Sequence, residues 1–268
     1  MITSSSNEQI KQIRKLRDRK YRSENSLAYI EGVRIVREAI YQDVEIERII
    51  TSESFENSVK RAEINSLIKN HHWNKVTVTD DVFQSLSNKE RPQGIGAVIK
   101  QSWCSFTFFT EHFAGLWVCL WEVADPGNLG TIIRTVDAVG AKGILLLGNC
   151  TDPYDPNAVR GSMGALFSRI LVKSDLITAV DWIKENRICA YGTSDAAEVH
   201  YRDVKYSRDM VIIMGSERQG LPEPLKEVCT ELVRIPMLGT SDSLNLAVAT
   251  GVILYEILDQ HELRLKGK

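Results

Sequence analysis

The sequence lacks most of the features that would commit it to a special class. Its five cysteines, Cys104, Cys119, Cys150, Cys189 and Cys229, are odd in number, widely spaced and never arranged as Cys-x-x-Cys. That excludes a thiolate metal centre and a disulfide framework, so no metal is expected and a reducing cytoplasm is the expected location. Long apolar runs are also missing. The most apolar stretch, 103–121, is broken by Thr110, Glu111 and His112, so no membrane span is expected. The opening Met-Ile-Thr-Ser-Ser-Ser has no charged-then-apolar pattern, so no signal peptide is expected either. Excess charge is absent: 33 basic against 35 acidic residues leave a net charge of −2, which gives no hint of a polyanionic partner. No internal repeat or low-complexity tract is present. A Gly-x-Gly-x-x-Gly fingerprint is missing too, which makes a dinucleotide-dependent oxidoreductase a distant reading.

Charge is uneven, however. Residues 11–22 hold Lys11, Arg14, Lys15, Arg17, Arg19, Lys20 and Arg22 against the single acid Asp18. Such a run is either a solvated helix face or a set of phosphate contacts, the latter salt-dependent. The length of 268 residues suits two domains. Ser6 followed by Gln9 fits a capping box, and Ile10, Ile13 and Leu16 continue as an apolar stripe. Further on, the pattern predicts helix 32–41, strand 48–51, helix 57–69, strand 76–79, helix 81–86 and strand 95–99. This alternation describes a small α/β domain over 1–100, followed by an aromatic-rich linker at 101–112.

From 113 to 268 the pattern becomes more regular. Strands are predicted at 116–122, 143–147, 188–193, 210–214 and 232–235. Helices are predicted at 128–139, 157–166, 176–186 and 245–263. Apolar strands separated by helices describe a mostly parallel sheet covered on both faces. Ligands of such sheets bind at the carboxyl ends of the strands. Three loops lie there. The first, Asp125-Pro-Gly-Asn128, leads into a helix carrying Arg134, with Asn128 placed to cap it. The second, Met214-Gly-Ser-Glu217-Arg-Gln-Gly220-Leu, follows a strand at Gly215, which permits close backbone approach or positive φ. The third runs from Ile235-Pro-Met-Leu-Gly239 to Ser243-Leu-Asn245 before an Ala- and Leu-rich helix. Taken singly, each is ordinary turn or helix-cap chemistry. Their order and common position at strand ends set them apart.

Together they resemble the three signature motifs of the SpoU (TrmH) family of SPOUT RNA methyltransferases. Asn128-Leu-Gly-Thr-Ile-Ile-Arg134 is similar to the first motif, Gly215-Ser-Glu217-Arg-Gln-Gly220-Leu221 to the second, and Ile235-Pro-Met-Leu-Gly239 through Ser243-Leu-Asn245 to the third. Arg160-Gly-Ser-Met-Gly164 also looks like a family segment. Glu31-Gly-Val-Arg34 and Gln93-Gly-Ile95 resemble, more loosely, the family's RNA-binding extension. The resemblance implies a deep trefoil knot, a homodimer with active sites near its interface, and S-adenosylmethionine as methyl donor. It implies that Met214, Gly215, Ile235, Met237, Leu238, Gly239 and Leu244 hold that cofactor. Asn128, Arg134, Glu217, Ser243 and Asn245 would carry or position methyl transfer to a ribose 2′-hydroxyl. Ribosomal RNA is the expected substrate, with transfer RNA and a non-catalytic RNA-binding protein as alternatives, and base methylation as a further one. In that setting Lys11, Lys15, Arg17, Arg22, Arg34 and Arg160 become expected RNA contacts. Arginine keeps its proton, so Arg134 is expected to bind phosphate or polarise the hydroxyl, with proton acceptance assisted by phosphate or water. Glu217 is expected to fix Arg134 or Asn245.

Overall fold

In the computed structural model, residues 1–68 and 73–266 are described. The predicted end of one helix at Lys69 lies outside them. Contacts divide the chain into two units, Met1–Gln101 with Tyr154–Phe167, and Ser102–Pro153 with Ser168–Lys268.

The first unit is built on four strands, β1 (Leu27–Glu31), β2 (Ile46–Ser52), β3 (Asn74–Val78) and β4 (Ile95–Lys100). Their order is β1-β4-β2-β3, with β4 antiparallel to β1 and β2, and β2 parallel to β3. Strand β1 escapes the sequence pattern because only Ala28 and Ile30 point inwards. Helix Glu8–Lys15 places Ile10 and Ile13, with Leu16 just beyond, against Ile50, Val82, Phe83 and Val98. Its cap is Asn7, not Ser6: Asn7 Oδ1 accepts from the Gln9 amide at 3.0 Å, while Ser6 turns to Ser4. The two loosely matched segments meet here. Gln93 Oε1 accepts from the Val33 amide at 2.9 Å, and Lys89 pairs with Glu31. Gly32 and Gly94, at φ +114 and +74, permit both turns.

The basic run is not uniformly solvated. It breaks into helices Glu8–Lys15 and Arg19–Asn25, and Arg22 is only 1% exposed. Its Nη1 donates to the Leu16 and Arg17 carbonyls at 2.9 and 2.8 Å, closing the end of the first helix. Its Nη2 lies 3.9 Å from Asp155 Oδ2. Arg22 is therefore corrected from an RNA contact to an internal tie, since its guanidinium is committed to protein oxygens.

The second unit is a seven-stranded sheet. Its strands are β5 (Leu116–Trp121), β6 (Gly143–Leu147), β7 (Ile170–Ser174), β8 (Ala190–Thr193), β9 (Val199–His200), β10 (Met210–Met214) and β11 (Glu231–Arg234). The order is β7-β6-β5-β10-β8-β11-β9, and every pairing is parallel. The α/β fold expected from the sequence is borne out. One face, with Trp117, Cys119, Leu145, Val211 and Ile213, packs against Phe109, Trp182, Ile183 and Leu225. Residues of the other parity, such as Val118, Leu120, Ile144 and Ile212, are equally buried. On that side helix Pro126–Ala138 packs on β6, and helix Leu246–Lys266 packs on Pro126–Ala138. Residues 101–112, expected as a linker, contain helix Phe106–Glu111, whose Phe109 is part of this core. Thiols of the second unit are quiet: burial pushes Cys150 up to about 11 and Cys229 up to about 12. From β5 the chain runs to β6 on one side, while β10 flanks β5 on the other. The carboxyl ends of β5 and β10 thus border a switch-point crevice.

Arg22→Ala should lower the stability of the first unit by about 2–4 kcal/mol, because it takes the guanidinium donor from the Leu16 and Arg17 carbonyls and the positive charge from beside Asp155. Urea unfolding followed by far-ultraviolet circular dichroism would measure this. A change below about 0.5 kcal/mol would place Arg22 on the surface, as the charge run first suggested.

Candidate active site

Three loops converge on the crevice. After β5, Asp125 caps helix Pro126–Ala138 by accepting from the Asn128 amide at 2.7 Å. Pro126 fills the first helical turn, where no amide is needed. The helix thus starts two residues earlier than the sequence pattern gave, and Asn128 is not the cap. Its carboxamide is free for other work. After β10, Gly215 sits so tightly that a Cβ would lie 2.3 Å from the Gly220 carbonyl carbon. Close approach, not positive φ, is what requires glycine there. Ser216 and Gly220 exchange two backbone hydrogen bonds of 3.1 and 3.0 Å, with Gly220 at φ +65, and Glu217 rides on this turn. At the third loop, Asn245 caps the last helix: its Oδ1 accepts from the Ala247 and Val248 amides at 3.0 and 3.3 Å.

That cap sets the direction of everything connected to it. With Asn245 Oδ1 held by the helix, its Nδ2 faces outward and donates to Asn128 Oδ1 at 2.9 Å. Asn128 Nδ2 must then face the other way, and donates to Glu217 Oε1 at 3.0 Å. Glu217 Oε2 lies 3.5 Å from the Ala124 amide. The result is a one-way relay from a helix N-terminus through two amides to a carboxylate. Glu217 was expected to hold Arg134 or Asn245; it holds Asn128, and reaches Asn245 only through it. The relay lines a cavity of about 570 Å³ together with Glu122, Ala124, Asp125 and residues 216–219. That volume suits a small-molecule or nucleotide site.

Arg134 and Ser243 stand outside this cavity. Both are exposed and make no hydrogen bond or ion pair among the described residues. Arg134 lies six residues beyond Asn128 on one helix, roughly 120° around it and about 9 Å along it. Of the residues expected at the cofactor, Met214 is buried at the end of β10, with Thr193 Oγ1 3.7 Å from its Sδ. Gly215 forms the base of the second loop. Ile235 and Met237 are half-buried, while Leu238 is 97% and Leu244 38% exposed. A Cβ built on Gly239 meets nothing within 4 Å. The amides of 237–244 find no backbone acceptor among the described residues. Apolar tips beside unspent backbone donors suit S-adenosylmethionine, whose base is flat and apolar on its faces and polar at its edges.

Comparison with known proteins agrees with this geometry. Residues 115–255 match the SpoU rRNA Methylase family, and residues 7–97 match an MRM3-like substrate binding domain. The chain belongs to the SpoU rRNA methylase family. It is a methyltransferase that uses S-adenosylmethionine. A 23S rRNA (guanosine(2553)-2′-O)-methyltransferase of Bacillus subtilis is 28% identical, covering 96% of this chain and 98% of its own. A 23S rRNA (uridine(2479)-2′-O)-methyltransferase of Streptomyces viridochromogenes is 31% identical, covering 75% and 72%. An AdoMet-bound rRNA methyltransferase structure from Sinorhizobium meliloti superposes with a TM-score of 0.87 at 32% identity, covering 97% of each chain.

Sequence patterns missed Glu122, Ser216, Arg218 and Gln219 as cavity residues of this methyltransferase. Three of these flank Glu217, and their place on a turn after a buried strand was the available signal. Glu122 gave none, because it reads as the end of an apolar strand. No helix among the described residues is long and apolar enough to cross a membrane. No cluster of three metal-ligating side chains occurs among them.

Asn128→Asp removes the side-chain donor to Glu217, leaving it the longer contact to the Ala124 amide, and sets two carboxylates together. It should lower methyl transfer about 100-fold with little change in melting temperature. A double-mutant cycle of Asn128→Ala with Asn245→Ala should be non-additive by about 1 kcal/mol. Additive losses would mean that the two amides act separately.

Proposed function

We propose that this protein transfers a methyl group from S-adenosylmethionine to a ribose 2′-hydroxyl of ribosomal RNA. The observation that carries this reading is the relay from Asn245 through Asn128 to Glu217, which unites all three motif loops in the switch-point crevice. The substrate-binding match and the relatives named for 23S ribosomal RNA favour ribosomal over transfer RNA. Bound S-adenosylmethionine would supply an electrophilic methyl group. Gly215, Ile235, Met237, Leu238, Gly239 and Leu244 would hold it on the second and third loops, with Met214 packed behind them. Asn128, Asn245 and Ser243 would orient the ribose, since a few tenths of an ångström decide an in-line attack. Glu217 would fix the Asn128 amide by a charge-assisted bond. A trefoil knot fits the strand order, because the late strands β10 and β11 each lie between earlier ones. Residues 1–100 would bind the RNA through exposed Lys11, Lys15, Arg17 and Arg34, and Arg160 is exposed as well. The cytoplasm, where ribosomal RNA resides, is the proposed location.

The position of Arg134 favours a homodimer. On the far side of its helix it does not converge with Asn128 in one chain, so a second copy would bring it to the reacting ribose or its phosphate. The last helix offers a contact face, with Val248 and Tyr255 53% and 54% exposed and two turns apart on one side.

Incubation with tritiated S-adenosylmethionine and protein-free ribosomal RNA should yield label that survives alkaline hydrolysis as a cleavage-resistant dinucleotide. Label confined to alkali-released mononucleotides would overturn ribose methylation in favour of a base. Asn128→Ala and Arg134→Ala proteins, each inactive, should regain about a quarter of wild-type activity when refolded together, since mixed dimers keep one intact site. No regained activity would place Arg134 and Asn128 in one subunit's site.

A further inference from the structure

Methyl transfer to the 2′-hydroxyl needs an acceptor for its proton, and phosphate or water is not the only choice, since the cavity holds side chains as well. Arg134 keeps its own proton, and both Asn128 and Asn245 are neutral. Glu217 already accepts from Asn128, and Asp125 from the helix amide. One carboxylate in the cavity remains unused. Glu122 lines it beside Asn128 and Glu217, half-buried. Its side chain makes no hydrogen bond or ion pair among the described residues.

The backbone goes to some cost to place it there. Glu122 sits at φ +48, in the left-handed region that a residue with a side chain seldom adopts. The turn is pinned on its far side. The Glu122 amide donates to the Leu147 carbonyl at 3.1 Å, and the Thr151 amide donates to Val123 at 2.7 Å. Gly148, which its own φ of +68 already favours as glycine, also leaves room for the side chain: a Cβ there would lie 2.9 Å from both Glu122 Cγ and the Trp121 ring. A strained residue, a neighbouring glycine that clears space for it and an unengaged carboxylate in the crevice form one arrangement. Strain of this kind persists where the surroundings over-determine it, and it clusters at functional sites.

We infer that Glu122 is the general base of the reaction, taking the proton from the ribose 2′-hydroxyl as methyl transfer proceeds. The inference rests on the ribose-methylation reading. In the step, the 2′-oxygen forms a bond to the methyl carbon and the carbon–sulfur bond breaks, its electron pair passing to sulfur. The hydroxyl proton moves to Glu122, which becomes neutral and then releases it to water. A carboxylate is strong enough for this. Alkylation of a neutral hydroxyl produces an oxonium whose proton is far more acidic than a carboxylic acid, so transfer is downhill once the new bond has advanced. Carboxylates accept hydroxyl protons in the same way in phosphoryl transfer to alcohols.

The test uses full-length protein, tritiated S-adenosylmethionine and protein-free ribosomal RNA from cells lacking the gene. Glu122→Gln should keep its affinity for S-adenosylmethionine by calorimetry, and for the RNA by filter binding, within about threefold. Its single-turnover rate should fall roughly 100- to 10 000-fold. Glu122→Gly relieves the left-handed strain, so its melting temperature should equal or exceed that of wild type, by up to about 2–4 °C. It should be equally slow, and added formate should restore at least about tenfold of the lost rate by occupying the vacated space. Transfer by Glu122→Gln within about threefold of wild type would overturn the assignment of Glu122 alone. So would a loss confined to affinity, or a Glu122→Gly protein that melts lower and gains nothing from formate. Wild-type protein that methylates a base would instead overturn the ribose reading and this inference together.

Discussion

The orientation of one side-chain amide, that of Asn128, governs the working crevice. A carboxamide offers an acceptor on one corner and a donor on another, set apart by its planar group, which ionised aspartate and leucine do not. It can therefore pass the polarity of a helix N-terminus on to a carboxylate across the gap between two loops. The residues it joins lie 117 and 89 positions away in sequence. Each bond is worth only about 1 kcal/mol net, so the relay does not hold the unit together. The seven parallel strands do that, by burying both faces. The relay instead selects, among the conformations open to three surface loops, the one in which their polar groups face a common cavity.

Much of this architecture was legible from sequence, and the omissions have physical causes. Strands β5, β6 and β10 are apolar throughout because both faces are covered, and the last two were read with their observed ends. Strand β7 went unread: it is the edge strand, and Lys173 lies over the Trp103 ring at 3.5 Å where an apolar residue would have extended the run. Strand β9 has two residues and no period at all. The role of Asn128 was misread by a shift of one helical turn. Asp125 and Asn128 are both good caps, and only the fold decides between them. Arg22 was misread because a charge run carries no record of which member turns inward. The turn at Glu122 was invisible because its φ is imposed by residues 147–151, from another part of the chain.

Two glycines show how differently the same residue can serve one site. At Gly215 the backbone of 220–221 occupies the place a side chain would need, so the glycine lets chain approach chain. At Gly148, itself at φ +68, the place is taken by the side chains of Glu122 and Trp121. One absence of a Cβ shapes the turn that carries Glu217, and the other makes space for a second carboxylate. Neither is interpretable from the glycine's own neighbours in sequence.

The tie between Arg22 and Asp155 also bears on how the protein comes into being. The first unit takes its final piece, Tyr154–Phe167, from beyond the start of the second. As the chain leaves the ribosome, residues 1–101 emerge with Arg22 still lacking its carboxylate, and with the space for that segment unfilled. The first unit can settle fully only after more than sixty further residues have been made, while the early strands of the second are already emerging. A single cut at the apparent boundary would yield neither unit whole, and the order of synthesis and the order of completion are different.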